Sequence, residues 1–209
     1  MHRVTLLVIV ISALTVACSP PVEPEPPPAE PSQTADVPLP PVPFEDPGAC
    51  PFEGCVYREW TAIDEVDALT ERSVTAPVAF HVGIHDRVTA LTGVVITLKP
   101  GSVIFRKAVD LSTASGAIHV EPGEVLQLLT YEGEGFFTAA LNGDVHRNVD
   151  GSTFLDGACD EEPTRCIGEI RDKPESVWWV EIRNALGQTA WTNEPEKFAG
   201  KDALALAGR

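Results

Sequence analysis

Basic residues are scarce in this chain of 209 residues: 15 Lys and Arg stand against 31 Asp and Glu, a formal charge of −16. With no basic stripe along the sequence, that balance excludes a reader of nucleic-acid phosphates. Signatures of common chemistry are missing as well. There is no G-x-S-x-G, no H-E-x-x-H, no C-x2-C and no D-x-D-x-D-G order, so a serine nucleophile, a zinc centre and a calcium loop all lack support. Carboxylates are plentiful, yet no spacing singles out a pair for glycan cleavage. No apolar run is long enough for a membrane-spanning helix: the longest, Val4 to Val16, has thirteen residues, against the roughly 20 a span requires.

What that run does suit is an export signal. Met1-His2-Arg3 is a short positive start, and Thr15-Val16-Ala17-Cys18 closes it with small residues. The closing residues resemble the bacterial lipobox, which implies cleavage after residue 17 and lipidation of Cys18. Thr15 stands where that motif most often has Leu, and an ordinary cleaved signal peptide is the alternative. Several acyl chains, at ~0.8 kcal/mol per buried CH₂, anchor a protein almost permanently. Ser19 rather than Asp follows Cys18. By resemblance to enteric sorting this implies the outer membrane, with the folded part facing the periplasm.

Residues 1–17 are therefore expected to be the signal and 18–47 a lipidated, disordered linker. Proline recurs from Pro20 to Pro47 among acidic and small residues, a composition with too little apolar content to pack and a preference for polyproline II. At ~3.1 Å per residue such a stalk reaches roughly 90 Å. A passive spacer is the plain reading. Docking of Pro38-Leu39-Pro40-Pro41 on the protein's own aromatic groove is the sharper one, although no Arg flanks the run.

Four cysteines follow Cys18 in C-x4-C and C-x6-C spacing. In an oxidising compartment an even count implies two bridges. Three pairings are possible, and the local ones, Cys50–Cys55 and Cys159–Cys166, are favoured because each brackets a compact Gly- or Pro-containing loop. Each would add ~2 kcal/mol.

The remainder reads as all-β. Short β-prone runs at 56–62, 78–82, 88–91, 94–98 and 103–109 are separated by turn signals at Gly83, Gly93 and Pro100-Gly101. Further runs at 125–131 and 136–141 follow, with Asn142-Gly143 as a hairpin signal. Residues 64–75 read as loop and 156–173 as an acidic excursion. Val177 to Thr192 reads as a hairpin: Trp178 and Trp179 point to opposite faces of its first strand, Asn184 to Gly187 turns, and Trp191 sits on the return. A shared V-x-x-L pattern at Val88 and Val125 hints at two copies of one unit.

The stretches VLQLLTYEGEGFFTAAL and WWVEIRNALGQTAWT resemble bacterial SH3-like domains, and CPFEGCVYREWTA with VTALTGVV resembles a more divergent copy. The resemblance implies two small β-barrels packed in tandem. Residues 48–118 would be the first, 119–198 the second with its Cys-containing insertion, and 199–209 a tail. Such motifs mark fold more than activity. Ala190-Trp191 stands where Gly-Trp or Gly-Tyr is usual, and the 156–173 insertion is long for one barrel.

Candidate sites narrow to aromatics. His81 and His85 lie in strand and turn, and His119 and His146 stand alone, so none is assigned a metal. The cluster Asp156, Asp160, Glu161 and Glu162 reads as a solvated loop. Tyr131, Phe136, Phe137, Trp178, Trp179 and Trp191 cannot all be buried in so small a barrel. Of these, Tyr131, Phe137, Trp178, Trp179 and Trp191 are taken as candidate binding residues, since outward Trp and Tyr would make a shallow platform for a peptide or sugar ring. The expectation is a non-enzymatic binding or scaffolding module for a cell-envelope protein or a peptidoglycan-derived peptide, with no catalytic residue, metal or cofactor and no nucleic-acid partner. A periplasmic hydrolase or hydrolase accessory using the acidic loop is one alternative. A purely structural protein whose barrels pack on each other is the second.

Overall fold

Strands dominate wherever β-branched and aromatic residues alternate with turn residues. The computed structural model describes residues 40–206. The signal, Cys18, most of the Pro-rich linker and the last three residues lie outside them. In chain order the strands are β1 (Phe44–Pro47), β2 (Glu59–Ala62), β3 (Val66–Leu69), β4 (Val78–Val82) and β5 (Arg87–Lys99). Then come β6 (Gly101–Phe105), β7 (Val109–Thr113), β8 (Gly116–Val120), β9 (Val125–Gly133), β10 (Phe136–Leu141) and β11 (Asp144–Asp150). Two one-turn helices, α1 (Ser152–Leu155) and α2 (Ala158–Glu161), precede β12 (Gly168–Asp172). Strands β13 (Glu175–Arg183), β14 (Thr189–Thr192) and β15 (Phe198–Ala199) complete the set. The all-β expectation is met.

Strand β5 is the spine of the larger sheet, ordered β15-β2-β5-β13-β14-β3-β4. One edge of β5 pairs β2 near its start and β1 near its end, while β13 runs along the whole opposite edge, from Thr89↔Arg183 to Lys99↔Glu175. The sheet curls around a core of Trp60, Val66, Val82, Val88, Val180, Ile182 and Phe198. The second sheet, β11-β10-β9-β6-β12, works with the β7–β8 ribbon to enclose Val103, Phe105, Leu111, Leu126, Phe137, Val149 and Phe154. At its hairpin Asn142 (φ 53°) and Gly143 (φ 90°) both take the left-handed conformation that two-residue turns require, as the Asn-Gly pair predicts.

The two cores are nested in the chain. Residues 44–99 and 175–199 build the first lobe, and 101–172 form a second lobe between β5 and β13. The linker expected to reach residue 47 gives way earlier, because Phe44–Pro47 pairs with β5 as β1 and buries Asp46. The boundary expected at 118/119 falls inside β8, within the second core. Gly101 marks the crossing: a Cβ there would press on the Asp172 carbonyl and the Pro174 ring, so the outgoing and returning chains run in contact. The turn expected at Gly93 is also absent. Strand β5 passes straight through it, because Gly93 is needed for the space above it and not for a reversal.

Both disulfides are the local pairs. Cys50 and Cys55 are bonded with their Cα atoms 5.6 Å apart, and Cys159 and Cys166 with theirs 4.3 Å apart.

Candidate functional site

The space above Gly93 is filled by aromatics that carry a loop. The Trp178 indole N–H donates to the Tyr57 hydroxyl at 3.2 Å, and a Cβ on Gly93 would collide with both. Tyr57 donates in turn to the Ala49 carbonyl. Burial pushes the Tyr57 phenol pKa up, with the Trp178 hydrogen bond partly offsetting it. Phe52 stands edge-on to Trp178, their ring centroids 5.9 Å apart, and Trp60 meets the same indole at 5.9 Å. Loop 48–56, closed by Cys50–Cys55, is thus mounted on the aromatic core of the first lobe.

Facing it is the turn between β9 and β10. Gly133 (φ 92°), Glu134 (φ 51°) and Gly135 (φ 83°) are all left-handed there, and the Gly135 N–H donates to the Tyr131 hydroxyl at 3.1 Å. Gly133 lies so close to loop 48–56 that an added Cβ would be 3.4 Å from the Glu53 Cα. Beside this contact opens a cleft of about 670 Å³, lined by Phe52, Glu53, Ser112, Glu132, Glu134 and Phe136, with Asn148 at its side. Among the described residues no Lys, Arg or His lines it.

A smaller hollow of about 300 Å³ lies beside the cleft, sharing Cys50 and Glu132 with it. At its base the Asp46 side chain, buried on β1, accepts from Arg147 on β11 at 2.6 Å and lies 3.2 Å from the Thr138 hydroxyl on β10. Thr138 also reaches Glu132. Hydrogen bonding by Asp46 raises the Arg147 pKa further above its ordinary value, against the effect of burial.

The five aromatics expected to form a platform are dispersed. Tyr131 and Phe137 meet at 5.1 Å in the second lobe, where Phe137 is buried. Trp178 shares a face of β13 with Val180 and Ile182, and lies half-buried against the first core beneath Phe52 and Tyr57. Trp179, on the opposite face, is only 4 % exposed. The register puts Trp191 on that second face, through its pairing with Glu181, and Arg72 covers its ring at 5.5 Å while pairing with Glu45 at 2.9 Å. Alternation does send adjacent tryptophans to opposite faces, as expected. On one face Trp178 is half-buried against the first core, and on the other Trp179 is buried and Trp191 lies under Arg72.

Phe136 is one of the aromatics weighed above, whereas Phe52, Glu53, Glu132 and Glu134 are not among the expected site residues. Two sequence features do point to them: a Phe-Glu pair inside the C-x4-C loop, and an E-G-E-G turn flanked by Phe. The acidic cluster at 156–162 has local roles: Asp156 accepts from the Ala158 N–H at 2.9 Å, and Glu162 pairs with Arg165 at 3.4 Å. No group of three or more His, Cys, Asp or Glu is placed to hold a metal among the described residues.

No protein-family model matches the chain, and neither a curated protein nor a solved structure matches it.

Proposed function

We propose that the chain is a lipid-anchored envelope protein whose folded part is a non-enzymatic binding or scaffolding module, with the cleft between its lobes as the binding site. The observation that carries this reading is the cleft itself. Its two walls come from different lobes, one is stapled by Cys50–Cys55, and partly exposed phenyl rings sit among carboxylates in a volume typical of ligand sites. Anchoring through Cys18 and a Pro-rich stalk would hold that cleft off an outer membrane, facing the periplasm. The partner class is a cell-envelope protein or a peptidoglycan-derived peptide. The SH3-like likeness, in this reading, is shared between the lobes, with WWVEIRNALGQTAWT, CPFEGCVYREWTA and VTALTGVV in the first and VLQLLTYEGEGFFTAAL in the inserted second.

The test is retention of purified peptidoglycan fragments and solubilised envelope proteins on the immobilised full chain in non-ionic detergent. Wild type should retain a partner that a Phe52→Ala/Phe136→Ala variant loses. Retention of nothing, or equal retention by both, overturns the reading. Cys18→Ser should release the chain from membranes; unchanged membrane association would overturn the anchor.

One observation favours a second reading, a purely structural brace: Trp179 is buried and Trp178 is half-buried beneath Phe52 and Tyr57, so the pair offers no open platform. A chain that self-associates in concentration-dependent light scattering and retains no partner would fit the brace.

A further inference from the structure

We infer that the interlobe cleft takes a cationic peptide segment, with amine or guanidinium groups set beside apolar side chains. This rests on the cleft being the binding site and goes on to say what chemistry it selects. Glu53 comes from the first lobe, Glu132 and Glu134 from the second, so carboxylates approach the cleft from both walls. None of the three takes part in an ion pair among the described residues. The cation lining the adjoining hollow, Arg147, is held by Asp46 at 2.6 Å.

Glu53 and Glu134 have no cation partner among the described residues, while Glu132 accepts from Thr138 and adds to the field on Arg147. The net negative charge in the recess focuses potential toward cations and repels anions. Phe52 and Phe136 add ring surface on both sides, where they can take the apolar groups of a peptide or stack on a guanidinium. The second hollow shares Cys50 and Glu132 with the cleft, so the two lie side by side and together offer more room than one amine needs. A bare polyamine would satisfy the carboxylates and leave the phenyl rings unused.

The experiment is fluorescence anisotropy with the full chain in non-ionic detergent and fluorescein-labelled acetyl-Phe-Lys-Phe-Lys-amide. The matching Phe-Glu-Phe-Glu and Gly-Lys-Gly-Lys peptides and spermidine serve as competitors. The inference expects saturable binding of the Phe-Lys probe and none of the Phe-Glu peptide. It expects about 5–10-fold weaker binding in each of Glu53→Gln and Glu134→Gln, and a larger loss in the double variant. Both residues are exposed, and thermal melts matching wild type confirm that the variants fold.

Equal binding of acidic and basic probes, or unchanged affinity in the double variant, overturns the inference. So does competition by spermidine or Gly-Lys-Gly-Lys as strong as that by Phe-Lys. If the probe fails to bind while envelope material is still retained in a Phe52- and Phe136-dependent way, the ligand class is wrong and the cleft remains a binding site. If both fail, both readings fall.

Discussion

Asp46 and Arg147 form an ion pair at 2.6 Å across the joint between the two lobes, with the carboxylate buried and 54 % of the arginine side chain exposed. Its strands pair in different sheets, so the contact ties the inserted lobe back to β1 at a place the two chain crossings do not reach. Removing Arg147 leaves a buried carboxylate with, among the described residues, only the Thr138 hydroxyl bonded to its side chain.

Arg147→Ala should therefore destabilise the fold by about 2 kcal/mol, less than the ~3–5 kcal/mol of a fully buried pair because water already reaches the guanidinium. Asp46→Asn, which keeps a hydrogen-bonding oxygen, should have a smaller effect. Urea unfolding of both variants checks this; an Arg147→Ala midpoint equal to wild type would show that the pair does not hold the lobes.

Gly93 sits under the Trp178–Tyr57 hydrogen bond, in ordinary strand conformation, so its requirement is for space. Gly93→Ala should force the indole and phenol apart, destabilising the chain by about 1–3 kcal/mol. It should also shift Trp fluorescence and loosen Phe52 over the cleft. A neutral substitution with an unaltered emission spectrum would contradict the packing described.

The two disulfides should separate functionally. Each closes a short loop, so losing either should lower stability by about 2 kcal/mol. Only Cys50–Cys55 walls the cleft. The Cys50→Ser/Cys55→Ser pair should weaken the Phe-Lys probe, while Cys159→Ser/Cys166→Ser should leave its affinity unchanged. Equal effects on binding would remove the loop from the site.

Two surface groups give opposite pH signatures. Asp110, bonded to His119 at 2.6 Å and helped by Glu121, raises the imidazole pKa above its ordinary value, although partial burial opposes this. The resulting stabilisation is complete below the ordinary imidazole range and is lost as pH rises through the raised folded value. His119→Gln should thus be less stable than wild type near about pH 5.5 and equal to it near about pH 8.5. Glu169 is the reverse: Arg106, at 2.7 Å, is the main cause lowering its carboxyl pKa, with Arg171 adding to it. Arg106→Gln should be less stable than wild type at neutral pH, and the gap should close as pH falls through the depressed folded value. Thermal melts across pH check both; a pH-independent difference in either case would assign the effect to packing.

Much of the local structure is legible in the sequence. The hairpin from Val177 to Thr192, the Asn142-Gly143 turn, the strands at 78–82 and 136–141 and both cysteine pairs lie where local pattern puts them. What is hidden is which strands meet. Val95 pairs Trp178 across the entire inserted lobe, and nothing within either strand's own alternation specifies so distant a neighbour. Gly93 reads as punctuation because a strand glycine and a turn glycine look alike until the residues above them are known. Loop-like residues 64–75 conceal β3, whose Val66 and Ala68 are buried beneath β4 and β14 partners that only the curled sheet supplies. The cleft is hidden for a related reason: the tryptophans pack as support, and the exposed chemistry belongs to glutamates in two turns.

Hydrogen exchange on the full chain, with and without the Phe-Lys probe, tests the account most directly. The account predicts slowed exchange at residues 50–55, 112–114 and 132–136, the two walls of the cleft, with the 177–192 hairpin unchanged. Protection confined to that hairpin, or absent from both walls while the probe is bound, would contradict it.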